Sequence, residues 1–240
     1  MENKFEIFKQ VDKAAAAAEA GEYLNRLLTE NKKKPILLMV SGGSALEILD
    51  FVGTTAMGEN LTVSMLDDRF SEDKEINNFS QLQKTDFYSQ ALEAGVSFFA
   101  SLPRKEDTMQ TLSERWENNL KTWRKENPKG IIIAILGMGP DGHTAGIFAD
   151  EDKKSFEQLF NAKPLLTAYN VGNKHQYKDR ITSTITFLEK INFGIAFVCG
   201  QDKKEKLDLV IKNQGEVNEL PALAWHGIKN IRIFTDINLT

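Results

Sequence analysis

Two short stretches of the chain bring together residue types that can do chemistry. Gly137-Met138-Gly139-Pro140-Asp141-Gly142-His143 sets an imidazole two residues after a carboxylate, in a run bent by three glycines and a proline. Imidazole takes or gives a proton near neutral pH, which makes His143 a candidate general acid or base with Asp141 beside it. Ser41-Gly42-Gly43-Ser44 offers hydroxyls and flexible backbone. Where such a turn opens a helix, its first N–H groups have no intrahelical partner and stand at the positive end of the helix dipole, an arrangement that favours phosphate. The motif is neither a Walker sequence nor a G-x-G-x-x-G fingerprint, and a plain strand-to-helix turn with a serine cap accounts for it equally well in isolation. Asp67-Asp68-Arg69, Arg180 and Lys203 add charge, and a bound phosphate needs one or two cations besides backbone donors. His175, in the polar stretch NKHQYK, and His226 read as solvated or packing histidines. Cys199 reads as a small core residue.

Position along the chain gives these residues their meaning. VDKAAAAAEAGEYLNRLLTE (11–30) has high helix propensity, with apolar residues three and four apart. PILLMV (35–40) is a short buried strand ended by Ser41–Ser44, after which Ala45, Leu46, Ile48, Leu49 and Val52 return at helical spacing. LTVSML (61–66) is a second strand, stopped by Asp67-Asp68-Arg69. A loop over 71–78 and a helix over about 79–94 follow. Asp107 and Thr108 cap a helix through about Glu126, with Met109, Leu112, Trp116, Leu120 and Trp123 forming a core stripe. GIIIAIL (130–136) is β-branched and uncharged, and it runs directly into the Gly137–His143 stretch, which also reads as lying beside a helix start. LLTAY (165–169), GIAFVC (194–199) and NIRIFT (230–235) read as further strands, and 202–213 as a helix.

Strands alternating with helices of ten to twenty residues predict βαβ units. The fold class is therefore α/β, a three-layer sandwich with a mainly parallel sheet covered on both faces, formed by one domain over 1–240. In such sheets ligands gather outside the carboxyl ends of the strands. Strands ending at Val40, Leu66, Leu136 and Cys199 would then carry Ser41–Ser44, Asp67–Arg69, Gly137–His143 and Gly200–Lys203 to one edge. Hydroxyls, free N–H groups, carboxylates, an imidazole and cations on one edge suit a small anionic, polyhydroxylated molecule.

Composition narrows the classes further. The 240 residues are 41% hydrophobic and carry a formal net charge of −4, which removes the broad attraction that nucleic-acid and anionic-membrane binders rely on. Neither partner is expected. One cysteine and three histidines are a poor stock of metal ligands, so no metal is expected. The N-terminus carries Glu2 and Glu6 and no long apolar run, and the longest apolar stretches fall far short of the roughly 20 residues that cross a bilayer. A cytoplasmic protein is expected.

In order and spacing, SGGS (41–44), DDR (67–69), GMGPDGHTAGIF (137–148), RIT (180–182) and GQDKKEKL (200–207) resemble the 6-phosphogluconolactonase family, a branch of the superfamily that includes glucosamine-6-phosphate deaminase. The resemblance spans most of the chain, and GMGPDGHTA is its most specific part. It implies a Rossmann-like sandwich and hydrolysis of 6-phospho-D-glucono-1,5-lactone to 6-phosphogluconate in the oxidative pentose phosphate pathway, without metal or organic cofactor. It further implies that Ser41, Gly42, Gly43 and Ser44 cradle phosphate, that Arg180 and Lys203 are phosphate-binding cations, and that Asp67 and Arg69 lie in the substrate site. His143 is the proposed catalytic histidine, with Asp141 either orienting it or contacting sugar hydroxyls. The chain departs from the family pattern at Ala45-Leu46, where Thr-Pro is usual, at Asp68, where glutamate is usual, and after Arg69, where Val-Pro is absent.

Two alternatives accompany this reading. One is a deaminase or isomerase, which would carry glutamate where this chain has Phe148 and tyrosine where it has Arg69. The other is a non-catalytic sugar-phosphate-binding protein. A monomer or small homo-oligomer is expected in every case.

Overall fold

The computed structural model describes residues 4–239. Ten strands occur among the described residues, in chain order: β1 (Glu6–Lys9), β2 (Ile36–Val40), β3 (Leu61–Met65), β4 (Asp67–Arg69), β5 (Ser97–Phe99), β6 (Ile131–Gly137), β7 (Leu166–Asn170), β8 (Asp179–Ser183), β9 (Phe193–Phe197) and β10 (Asn230–Thr235). Seven of them form one parallel sheet in the order β1-β10-β9-β6-β2-β3-β5. The α-helices are α1 (Lys13–Glu30), α2 (Asn78–Leu82), α3 (Asp86–Glu93), α4 (Met109–Glu126), α5 (Lys153–Phe160), α6 (Ile185–Leu188) and α7 (Lys204–Ile211). With helices flanking the sheet, this is the α/β three-layer arrangement the sequence predicts.

The central strands explain their own sequences. Every residue of β2 is buried, as is β6 up to Leu136, so both read as unbroken apolar runs instead of alternating ones. α1 starts where the Asp12 carboxylate accepts a hydrogen bond from the Ala15 N–H at 2.8 Å, and it packs Ala16, Ala20, Leu24 and Leu28 into the core. α4 opens on a capping box between Thr108 and Thr111. Its Trp116 is fully buried and donates its indole N–H to Ser64 Oγ at 2.8 Å, so this large core side chain leaves no polar atom unpaired.

Register settles whether the strand endings meet. Val40 is paired with Met65 on one side and Ile135 on the other, and Ile135 with Ile195, so one transverse row crosses β3, β2, β6 and β9. The residues just beyond this row are those expected on the shared edge.

A feature absent from the sequence reading lies here as well. Asp67–Arg69 is a strand of a second, antiparallel sheet ordered β4-β8-β7. Leu66 joins the two sheets: its N–H donates to the Val40 carbonyl at 2.9 Å, and its carbonyl accepts from the Ser183 N–H at 2.8 Å. The chain thus leaves the parallel sheet at the site edge and roofs it with β8.

Several local expectations change. Residues 43–51 form a 3-10 helix where α-helical spacing was read, its end closed by Val52 N–H to the Leu49 carbonyl at 3.1 Å. The helix read over 79–94 is two helices, because Thr85 starts α3 afresh by accepting from the Tyr88 N–H. No helix follows His143; Thr144 and Ile147 bridge each other across a tight turn instead. Cys199 lies two residues beyond β9 and is only half-buried. The helix read over 202–213 begins with a 3-10 turn, and α7 covers only 204–211.

Candidate active site

At the carboxyl edge of the sheet lies a cavity of about 210 Å³. Its wall includes Ser41, Gly42, Gly43 and Ser44 from the end of β2, Asp67 and Arg69 from β4, Gly139 and His143 from the loop after β6, Arg180 from β8 and Lys203 after β9. Of the residues given a catalytic or substrate-binding role from sequence, only Asp141 stands outside this wall, and it touches His143.

The loop after β6 is folded by its own hydrogen bonds. Gly139 N–H donates to the His143 carbonyl at 2.9 Å, and Thr144 Oγ1 donates to the Gly137 carbonyl at 2.7 Å. A β-carbon at residue 139 would overlap the His143 ring and crowd Asp141, so glycine there lets the pair sit directly over the loop. Asp141 Oδ1 lies 2.6 Å from His143 Nδ1 and also accepts the His143 backbone N–H at 3.2 Å. Burial acts to raise the Asp141 pKa, but the hydrogen bond and charge of His143 outweigh it and hold the carboxyl below its ordinary value. The ionised carboxylate assigns the proton to Nδ1 and leaves the Nε2 lone pair for chemistry. The imidazole stacks on Phe148, ring centroids 4.3 Å apart and planes 19° from parallel.

Elsewhere in the wall stand the glycine turn and the cations. Gly43 has φ of +64°, a conformation natural to glycine, and the space where a side chain would point is open. Arg180 is buried and ion-paired with Asp67 at 3.2 Å, and its guanidinium carbon lies 5.0 Å from the centre of the Phe148 ring. Burial lowers its pKa, with Asp67 acting in the opposite sense. Arg69 donates to the Ile76 carbonyl at 2.7 Å and lies over the Tyr177 ring. Three cations therefore share the cavity wall with one carboxylate, Asp67, which is ion-paired with Arg180. A larger hollow of about 610 Å³ is lined by Asp141, Asp150, Glu151 and Glu219 against Lys174, a charge balance unsuited to phosphate.

Asp68 points elsewhere. Its carboxylate accepts from the backbone N–H groups of Asn78, Phe79 and Arg69 and from Ser101 Oγ, clamping β4 to the start of α2. Burial nevertheless pushes its pKa up to about 6 against those hydrogen bonds. Sequence reasoning missed two wall residues with side-chain chemistry. Asn78 donates to the Asp67 carbonyl at 3.0 Å, and His175 reaches the wall from the loop before β8. The sequence reading gives His175 no site role; the half-buried ring packs against Phe148 and Tyr177, and the loop between β7 and β8 brings it into the cavity wall. His226 does pack, with Nε2 2.7 Å from the Val210 carbonyl.

Fold and cavity define an α/β protein whose sheet edge gathers a histidine, a glycine turn and three cations around one cavity. More narrowly, the chain belongs to the family of glucosamine-6-phosphate isomerases/6-phosphogluconolactonase, whose model matches residues 11–232. It is similar to a "probable 6-phosphogluconolactonase" of Dictyostelium discoideum, 24% identical over 98% of this chain and 99% of that protein. A Helicobacter pylori 6-phosphogluconolactonase is 25% identical over 87% of this chain and 86% of its own length. Among solved structures, a Thermotoga maritima 6-phosphogluconolactonase superposes with a TM-score of 0.73 at 23% identity, covering 97% of this chain and 99% of that one. One from Plasmodium vivax gives 0.76 at 16% identity, covering 98% and 91%.

Proposed function

We propose that the protein hydrolyses 6-phospho-D-glucono-1,5-lactone to 6-phospho-D-gluconate, with His143 handling the protons. The observation that carries this reading is the opening of His143 and the Ser41–Ser44 turn onto one cavity walled by Arg69, Arg180 and Lys203. A lactone carbonyl is already electrophilic, so the protein's task is to hold the phosphate, activate water and protonate the departing ring oxygen. Water attacks the carbonyl carbon as Nε2 of His143 takes its proton. The tetrahedral intermediate collapses by breaking the bond to the ring oxygen, and the imidazolium returns the proton to that oxygen. Asp141 holds the ring through Nδ1 and stabilises the imidazolium in between. No covalent intermediate and no cofactor enter this sequence.

The Ser41–Ser44 N–H groups, Arg180 and Lys203 bind the phosphate in this scheme, and Arg69 lies beside them. The lactonase names of the relatives support the assignment, as do Phe148 and Arg69 at positions where the deaminase branch carries glutamate and tyrosine. Among the described residues no helix is long and apolar enough to cross a membrane. The proposed setting is the cytoplasm, as a monomer or small homo-oligomer, with no nucleic-acid or membrane partner.

The test forms the lactone in situ with glucose-6-phosphate dehydrogenase and follows its opening with 6-phosphogluconate dehydrogenase, subtracting spontaneous hydrolysis. Acceleration by the protein supports the lactonase. Ammonia release from glucosamine 6-phosphate without lactone hydrolysis would replace it with the deaminase, and binding without either turnover with a sugar-phosphate-binding protein.

A further inference from the structure

His175 lies in the cavity wall with its ring in a fixed protonation pattern. Nδ1 is 3.1 Å from Arg180 Nη2 and accepts the Tyr177 backbone N–H at 3.1 Å. A guanidinium and a backbone amide can only donate, so Nδ1 carries no proton and Nε2 carries one. Burial comes first in holding the His175 pKa below the usual histidine value, with the positive charges of Arg180 and Arg69 acting in the same direction. Around neutral pH the ring is therefore a neutral donor through Nε2. That is the reverse of His143, whose Nδ1 faces a carboxylate. Both imidazoles lie against the Phe148 ring, His175 at 5.7 Å and His143 at 4.3 Å between centroids. One aromatic side chain thus sets the spacing between an accepting and a donating histidine.

We propose that His175 is a substrate-positioning residue whose Nε2–H donates a hydrogen bond to a phosphoryl oxygen of the bound sugar phosphate. This rests on the lactonase reading above. The Arg180 guanidinium, buried and directly joined to His175, places the phosphate-binding charge next to this donor. A neutral donor adds directional grip without bringing a further positive charge against Arg69 and Arg180. It also leaves the proton chemistry to His143.

Two replacements separate contact with substrate from support of Arg180. In His175→Asn the amide oxygen stands where Nδ1 was and still accepts from Arg180 and Tyr177, but the distal donor is lost. In His175→Gln the amide nitrogen reaches the position of Nε2 and restores the donor. Binding of 6-phosphogluconate by calorimetry, inhibition by inorganic phosphate and steady-state lactone hydrolysis are measured for each. The proposal expects His175→Asn to raise the Kd for 6-phosphogluconate and the Ki for phosphate by about tenfold to a hundredfold, the loss of one hydrogen bond to a charged acceptor. KM should rise with them while kcat stays within about threefold, and His175→Gln should recover most of the binding. Normal binding by His175→Asn overturns the proposal, because support of Arg180 would then be the whole role. A raised Kd for 6-phosphogluconate with an unchanged Ki for phosphate overturns it too, by moving the contact to a sugar hydroxyl. Wild type that binds neither ligand and opens no lactone overturns the lactonase reading along with it.

Discussion

Asp141 Oδ1 lies 2.6 Å from Nδ1 of His143 and outside the cavity wall that His143 helps to form. The carboxylate thus engages the ring from the far side and leaves Nε2 for the substrate. Asp141→Asn puts an amide there whose nitrogen can donate to Nδ1 and favour the wrong tautomer. The expected result is a fall in kcat of about tenfold or more with KM little changed. Asp141 is half-exposed, so its stability should hardly move.

Arg180 and Asp67 form an ion pair whose side chains are 4% and 7% exposed. Removing one member of such a pair leaves an uncompensated buried charge, which typically costs about 3–5 kcal/mol. Asp67→Ala should therefore lower the urea midpoint sharply. Lys203→Ala removes a half-buried cation that has no ion-pair partner among the described residues and should leave stability within about 0.5 kcal/mol of wild type. Its effect belongs in KM, which should rise about tenfold with a weaker dependence on salt.

Asp68 gives a pH signature of its own. Its folded pKa of about 6 lies above the ordinary 3.8, so the native state binds the extra proton between those values. Its contribution to stability is greatest when protonated and declines as pH rises from about 4 to about 6, by roughly 3 kcal/mol at 1.36 kcal/mol per pKa unit. Asp68→Asn abolishes this titration. Urea unfolding at pH 4.5 and 7 should show the wild type losing stability relative to the variant at the higher pH. Equal differences at both pH values would contradict the assignment.

Phe148 carries His143 on its ring face and lies against Arg180 and His175. Phe148→Leu keeps an apolar side chain but removes the flat surface. Turnover should fall several-fold and product affinity should weaken, because both the acid–base group and the phosphate site lose their common support. A variant unchanged in both would show that the stacking is incidental.

Much of this site could be read from the chain because the edge of a parallel sheet converts strand endings into neighbours. Val40, Ile135 and Ile195 share one transverse row, so residues more than 150 apart in sequence converge without any local signal between them. The second sheet stayed hidden for the opposite reason. Asp67–Arg69 has only three residues, two of them aspartates that disfavour strands, and it is held there by pairing with 180–182. His175 and Asn78 depend on that roof, and nothing in NKHQYK or INNFS announces a cavity. The 3-10 helix after Gly43 shows a related limit, since apolar spacing marks a buried face without fixing the helix type.

The most direct test compares His143→Asn with wild type in the coupled lactone assay at mildly acidic to neutral pH, where spontaneous opening is slower. Loss of general acid–base catalysis should lower turnover about 10²–10⁴-fold while binding of 6-phosphogluconate is nearly unchanged. Near-normal turnover by a folded His143→Asn protein would contradict the role given to His143 and, with it, the mechanism built on the His143–Asp141 pair.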